Sequence, residues 1–201
     1  VSYLSKEKNL EILRHSTAHV LAAAVLEMFP EAKFGVGPAI ENGFYYDFEL
    51  PRTLIPEDLP LLEEKMQKII ERNYPFEKEE ISSENALEHF KKSGQKYKVE
   101  LIQDLQKTSP QLPTTIYKTG NFVDLCAGPH LDSAGEIPAD AFRLSRLSGV
   151  YWKSDEKNKQ LQRIYGLAFG NKKELAEYLK NQAEAKKRDH KKIGQELDLF
   201  S

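Results

Sequence analysis

One cysteine in the whole chain means that no internal disulfide can form. A stapled scaffold of the secreted kind is therefore excluded, and a reducing cytosol is favoured. No run of about 18 uncharged apolar residues exists, because the longest candidate, residues 20–28, already contains Glu27. A basic-then-apolar leader pattern is missing as well. There is no Gly-Lys-Ser/Thr phosphate loop and no dinucleotide glycine pattern; Gly35-Val36-Gly37 is too short and reads as a turn. Internal repeats, low-complexity tracts and a Gly/Ser linker are also lacking. Charge of one sign is scarce, with 31 Asp and Glu against 29 Lys and Arg for a net of −2. Such a balance excludes coating of DNA or RNA by bulk attraction, yet leaves recognition of one nucleic-acid end open. What is present is a core. The chain has 201 residues, 40% of them hydrophobic and 10% aromatic, too many for a disordered chain. One or two domains of this size bury roughly 70% of the unfolded surface.

The charge is unevenly spread. Residues 171–192 hold eight Lys and Arg against four Asp and Glu, which leaves the rest of the chain near −6. The plain reading of that run is a solvated helix face; the sharper one is a basic handle for an RNA backbone.

Periodicity predicts a helix over residues 8–29, ended by Pro30, with Leu10, Leu13, Leu21, Ala24 and Met28 in one row. Ile12, His15, His19, Ala23 and Leu26 form a second row on nearly the opposite side. A helix apolar on two sides belongs between layers. Strands are predicted at 33–36 and 44–50, joined by a turn with Asn42-Gly43. A helix follows at 54–73, with Pro56 near its start. Beyond it come a strand at 76–81, a helix capped by Ser82 or Ser83 and stopped by Gly94, and a short helix at 96–105. A hairpin is expected from 115–118 and 122–126, then strands at 149–153 and 160–169 and a last helix at 172–197. Strands and helices are mixed without steady alternation, so the predicted class is α+β with a mainly antiparallel sheet packed with helices. Residues 1–170 read as one domain and 171–201 as a basic connector helix.

Four of the chain's six Cys and His residues fall in two pairs of identical spacing, His15-Ser16-Thr17-Ala18-His19 and Cys126-Ala127-Gly128-Pro129-His130. The first pair lies on a helix, where i and i+4 side chains project side by side. The second cannot be helix interior, because Gly128-Pro129 interrupts it, and reads as a tight loop at a strand end. Several chemistries fit. The histidines could be hydrogen-bonded core residues and Cys126 a small buried hydrophobe. His15, His19, Cys126 and His130 also match a four-ligand zinc site in donor type and number. A metal-free pocket that orients a substrate and a water fits equally. A Cys126–His130 nucleophile pair is conceivable, although no Gly-rich oxyanion signature accompanies it. Asp124, two residues before Cys126, is the carboxylate best placed to share the pocket; the plain reading is an ordinary Asp at a strand end.

Arg14-His15-Ser16-Thr17-Ala18-His19-Val20-Leu21 resembles the histidine helix of the editing domains of threonyl- and alanyl-tRNA synthetases. Val123-Asp124-Leu125-Cys126 with Gly128-Pro129-His130 resembles the threonyl version. So do Asn42-Gly43-Phe44-Tyr45-Tyr46-Asp47, Gln162-Arg163-Ile164-Tyr165-Gly166 and Lys187-Arg188-Asp189-His190-Lys191-Lys192-Ile193-Gly194. The resemblance runs over nearly the whole chain and implies the editing, second N-terminal domain of a bacterial-type threonyl-tRNA synthetase. Its expected activity is hydrolysis of serine mischarged onto threonine tRNA. Serine lacks one methyl relative to threonine, and a missing methyl changes binding by only about 1–3 kcal/mol. A second pocket that fits serine excludes threonine by its methyl.

Carried over by motif, the implied catalytic residues are His15, Lys98 and Asp124. His15 and Lys98 would orient the attacking water, and Asp124 would hold the substrate ammonium or seryl hydroxyl. His19, Gly37, Tyr46, Cys126 and His130 would shape the pocket, with His19, Cys126 and His130 contacting the terminal ribose. Without the resemblance, Lys98 in its Lys-Tyr-Lys setting reads as a solvated face. The threonyl type is expected to work without metal, whereas the alanyl type is expected to hold zinc on the equivalent quartet. ATP and a separate zinc are expected only in an aminoacylation domain outside this chain. The implied partners are the aminoacylated 3′ end of threonine tRNA and the rest of a parent synthetase, homodimeric through its other domains, in the cytoplasm. One departure is Ala127, where many relatives in the family carry Arg; what is lost is either a phosphate contact at the tRNA end or merely a surface salt bridge. The alternatives are a non-catalytic module that binds the tRNA acceptor end and a zinc-dependent deacylase of the alanyl type.

Overall fold

The computed structural model describes residues 6–109 and 113–198, with side chains as far as residue 188. Helix α1 spans Lys6–Met28 and is followed by the short strands β1 (Lys33–Phe34) and β2 (Ala39–Ile40) and by β3 (Gly43–Glu49). Next come α2 (Asp58–Arg72), β4 (Glu77–Ile81), α3 (Ser83–Lys92) and α4 (Lys96–Thr108). The second half holds β5 (Thr114–Thr119), β6 (Phe122–Leu125), β7 (Phe142–Tyr151), β8 (Gln160–Ala168) and α5 (Lys172–Asp198). All pairings are antiparallel, in a five-stranded sheet ordered β1-β3-β8-β7 with β2 on β3, and a three-stranded sheet ordered β4-β5-β6. The fold is α+β.

Helix α1 is the centrepiece. Every residue from Ser16 to Val25 is buried, because the helix packs on α2, on the large sheet through β3 and β8, and on the small sheet through β5 and β6. A run of Ala22-Ala23-Ala24 lets these layers approach closely on all sides. Against it the large sheet turns Phe44, Tyr46, Phe48 and Ile164, and α2 turns Leu62, Met66 and Ile69, all nearly or wholly buried. Each such side chain contributes about 1.5–3 kcal/mol by leaving water. On the opposite face of the large sheet, Arg163 clamps Asp47 across the β3–β8 register through two hydrogen bonds of 2.6 and 2.8 Å.

The structure shifts several predicted boundaries. Strand β7 begins at Phe142, seven residues before the predicted 149, and residues 152–154 form a 3₁₀ turn in place of the strand's end. The irregularity between Leu144 and Arg146 breaks the alternation that would have shown this. Helix α2 starts at Asp58 rather than 54, since the Asp58 carboxylate accepts from the Ile55 amide in a preceding turn. The Ser82 cap holds, accepting from the Asn85 amide at 3.2 Å. Within the basic C-terminal run, the side chains from residue 189 on and all of residues 199–201 lie outside the described residues.

Candidate functional site

The site lies where α1 meets both sheets. His15 and His19, one turn apart on α1, have ring centroids 5.3 Å apart. Strand β6 delivers Asp124 near its end, and the chain then turns back through residues 126–130. Gly128 sits at φ +72°, and a Cβ there would stand 2.3 Å from the Tyr117 hydroxyl, so glycine is required for the loop to lie on that ring. The Gly128–Pro129 peptide is cis. The loop carries Cys126 and His130 to the histidine face of α1, and the His130 ring meets the tilted His19 ring at a centroid distance of 4.0 Å and a stacked Phe76 at 5.2 Å.

The groups form two layers. In the outer layer, Cys126 Sγ lies 3.3 Å from both His15 Nε2 and His130 Nε2. The Gly128 amide donates to the same sulfur at 3.3 Å. His15, Cys126 and His130 are all partly exposed. The inner layer is sealed. Lys98, from α4, is 2% exposed and ion-paired with Asp124. It also donates to the Tyr46 hydroxyl at 3.1 Å, and Tyr46 in turn donates to Asp124 Oδ2 at 2.7 Å. His19 Nε2 stands 3.3 Å from the same carboxylate oxygen. Tyr46 owes its flat seating to Gly37, where a Cβ would fall 2.0 Å from the Tyr46 ring carbon Cδ2.

Burial sets the charges. It holds His19 well below the ordinary imidazole pKa, with His15 and the Lys98 ammonium adding to the effect. The His19–Asp124 contact is therefore a neutral N–H donating to a carboxylate, not an ion pair. Burial lowers His15 and His130 too, with Asp124 opposing in both cases. It raises Tyr46 well above the usual phenol range, and pushes the Cys126 thiol up to about 12 with help from Asp124. The outer layer is thus neutral, and the one full ion pair lies beneath it.

Every site residue expected from the sequence converges here: His15, His19, Gly37, Tyr46, Lys98, Asp124, Cys126 and His130. His19, Lys98, Tyr46 and Asp124 are buried in the floor, so only the outer layer meets solvent. A cavity of about 300 Å³ opens beside His15, walled by Ile12, Pro38, Ala39, Gly128 and Pro129 among others. A more apolar one of about 400 Å³ lies on the other side of Cys126, between Leu101, Leu105, Leu125 and Ala127. The smaller cavity, beside the chemistry, is of a size for a small ligand group. Sequence reasoning missed Ser16, fully buried, whose hydroxyl lies 3.2 Å from His130 Nδ1 and accepts from the Leu131 amide at 3.0 Å. Its position between the two histidines was the only signal. Two features bear on metal. The ligand atoms of His15, His19, Cys126 and His130 all lie within 4.8 Å of one another, and His19 Nδ1 is buried without a hydrogen-bond partner.

Residues 114–165, which supply Asp124, Cys126 and His130, match the family described as the threonyl and alanyl tRNA synthetase second additional domain. Over 193 residues the chain is 53% identical to a threonine–tRNA ligase of Dehalococcoides mccartyi, covering 96% of this chain and 32% of that protein. A threonine–tRNA ligase of Citrifermentans bemidjiense is 52% identical over 192 residues, 96% of this chain and 29% of its own length. One of Nitratidesulfovibrio vulgaris is 48% identical over 199 residues, 99% and 30% respectively. The chain therefore spans about a third of the length of the curated relatives it matches. No helix among the described residues is long and apolar enough to cross a membrane.

Proposed function

We propose that this chain, homologous to a segment of threonine–tRNA ligases that contains the second additional domain, hydrolyses the ester of serine mischarged onto threonine tRNA. The observation that carries the reading is the neutral His15 imidazole in the wall of a cavity, in contact through Cys126 and His19 with the site whose buried interior is the Lys98–Asp124–Tyr46 cluster. Ester hydrolysis needs a positioned water, a base for its proton and a donor for the developing oxyanion. A neutral histidine has a lone pair to accept that proton. The Lys98 ammonium, held in low dielectric, is the natural counter-charge for the oxyanion and orients the water together with His15. Asp124 keeps Lys98 in place and accepts the seryl hydroxyl or ammonium when substrate displaces His19. His19, Cys126 and His130 shape the pocket and contact the terminal ribose, while Gly37 and Tyr46 form its wall. Selection against threonine is steric, since both amino acids carry the hydroxyl.

In this reading the chemistry is metal-free, the substrate is the aminoacylated 3′ end of the tRNA, and residues 171–201 connect residues 1–170 to the rest of a parent synthetase. That parent would be a cytoplasmic homodimer whose ATP and zinc belong to its aminoacylation domain. Deacylation assays with seryl- and threonyl-charged threonine tRNA test it. Faster loss of serine is expected. Binding of the charged end without hydrolysis would leave only an acceptor-end module.

The four converging donors and the unused lone pair of His19 Nδ1 favour one second reading, a zinc-dependent deacylase. Tetrahedral zinc with bond lengths of about 2.0–2.3 Å needs donors roughly 3.5 Å apart, so His15, His19, Cys126 and His130 would have to draw together and Cys126 give up its proton. One tightly held zinc per chain after chelation and reloading would overturn the metal-free reading.

A further inference from the structure

We propose that Ser16 is a positioning residue that sets, through one directional chain of hydrogen bonds, which ring nitrogens of His130 and His15 carry their protons. The assignment follows from counting donors. Ser16 Oγ already accepts from the Leu131 amide, and among the described residues its other polar contact is His130 Nδ1. Its neighbour Thr17 shows the usual alternative, bonding the Leu13 carbonyl one turn back at 2.7 Å. Ser16 is turned instead to the loop, and its hydroxyl hydrogen is directed to His130 Nδ1.

The remaining protons then have one consistent placement. His130 with a lone pair on Nδ1 holds its proton on Nε2, which faces Cys126 Sγ at 3.3 Å. The sulfur also takes the Gly128 amide, so its own S–H is free to point at His15 Nε2, likewise 3.3 Å away. His15 must then be protonated on Nδ1, and the backbone of Pro129 beside the ring favours a ring proton there. The chain runs Ser16 to His130 to Cys126 to His15 to Pro129, with each group donating once. A protonated thiol and neutral imidazoles are the states this arrangement of donors and acceptors requires. Ring packing of His130 between His19, Phe76 and Tyr117 blocks a flip that would exchange its two nitrogens.

This deepens the hydrolytic reading and rests on it only for its consequence. S–H is the weakest donor in the chain, so an incoming water or ribose hydroxyl displaces it at His15 Nε2 and finds a lone pair already presented. Ser16 thereby acts on His15 from the far end of the chain without touching substrate.

Proton-detected ¹⁵N spectra of the histidine-labelled chain, free of substrate, decide the matter. The expected result is His130 protonated on Nε2 and His15 on Nδ1. Ser16→Ala should turn His130 into a mixture of tautomers, shift the His15 ring signals, and lower kcat for seryl-tRNA about five- to tenfold with KM unchanged. In a Cys126→Ala background the same substitution should no longer move His15. A His130 proton on Nδ1 in the unaltered chain overturns the proposal, even if the Ser16 variant fails to fold. So does a His15 response that persists without Cys126. Tautomers as stated in a chain that cannot hydrolyse seryl-tRNA would sink the functional reading alone.

Discussion

The two layers of the site solve opposite problems with overlapping residue types. In the floor, Lys98 and Asp124 remain a charge pair in a water-free setting because Tyr46 and His19 supply the further hydrogen bonds that such a pair needs. At the mouth, His15, Cys126 and His130 avoid charge altogether, since the sulfur and two imidazoles satisfy one another as neutral groups. The floor is all-or-none: take away one member and a charge is stranded. The mouth degrades gradually. A neutral cluster can exchange a partner without stranding a charge, whereas the ion pair survives an exchange only if each lost donor is replaced by another.

Removing Asp124 is the hardest test of that contrast. Asp124→Ala should cost about 3–5 kcal/mol in urea unfolding by stranding the Lys98 ammonium, and should abolish seryl-tRNA hydrolysis. Replacing both partners, as Lys98→Met with Asp124→Leu, should return the unfolding midpoint most of the way while leaving the chain inactive. If the double variant is no more stable than the single one, the floor is not held by a charge pair. Gly37→Ala forces a methyl into the Tyr46 ring and so disturbs the floor from outside. A loss of about 1–3 kcal/mol is expected, with hydrolysis impaired.

Acid should strain both layers in the same direction. His15, His19 and His130 have depressed values when folded, so the unfolded chain takes up protons below about 6.5 that the folded chain refuses. Stability is then complete above that pH and falls as pH drops, by at most about 1.4 kcal/mol per histidine for each pH unit, until the folded imidazole itself protonates. Thermal melting from pH 7.5 to 5.5 checks this, and a flat profile would mean that the imidazoles are charged or exposed. The smallest effect belongs to the mouth. Cys126→Ala should cost about 1 kcal/mol, one neutral hydrogen-bonding group, with the fold unchanged by circular dichroism.

How much of this was legible beforehand divides along the same line. The mouth announced itself, because His15, His19, Cys126 and His130 are scarce residue types at matched spacing, and Gly128-Pro129 marked a loop. Lys98 did not. On α4 it follows Tyr97, and both are buried, since Tyr97 packs against Trp152 on one side while Lys98 reaches Asp124 on the other. A lysine's burial is decided by a carboxylate 26 positions away in sequence, which periodicity cannot see; only the family resemblance singled it out. Ser16 was hidden for a related reason, as its partners His130 and Leu131 arrive from a distant loop. The helices were read well apart from their ends, because amphipathic spacing is local. The first half of β7 was lost to its irregularity and to Arg143, Ser145 and Arg146 facing solvent.

One feature of α1 reaches beyond the proposed chemistry. This helix touches both sheets and α2, and the site sits at that junction: Tyr46 comes from the large sheet, Asp124 from the small one, Lys98 from α4 and His19 from α1 itself. The residues assigned to the chemistry are therefore also the rivets of the tertiary structure. In a lineage without need of the proposed activity, the floor would persist under selection for foldedness after the mouth had been lost. A relative that keeps the lysine–aspartate pair but not the histidines and cysteine would be a fossil of the site, not evidence of a working one.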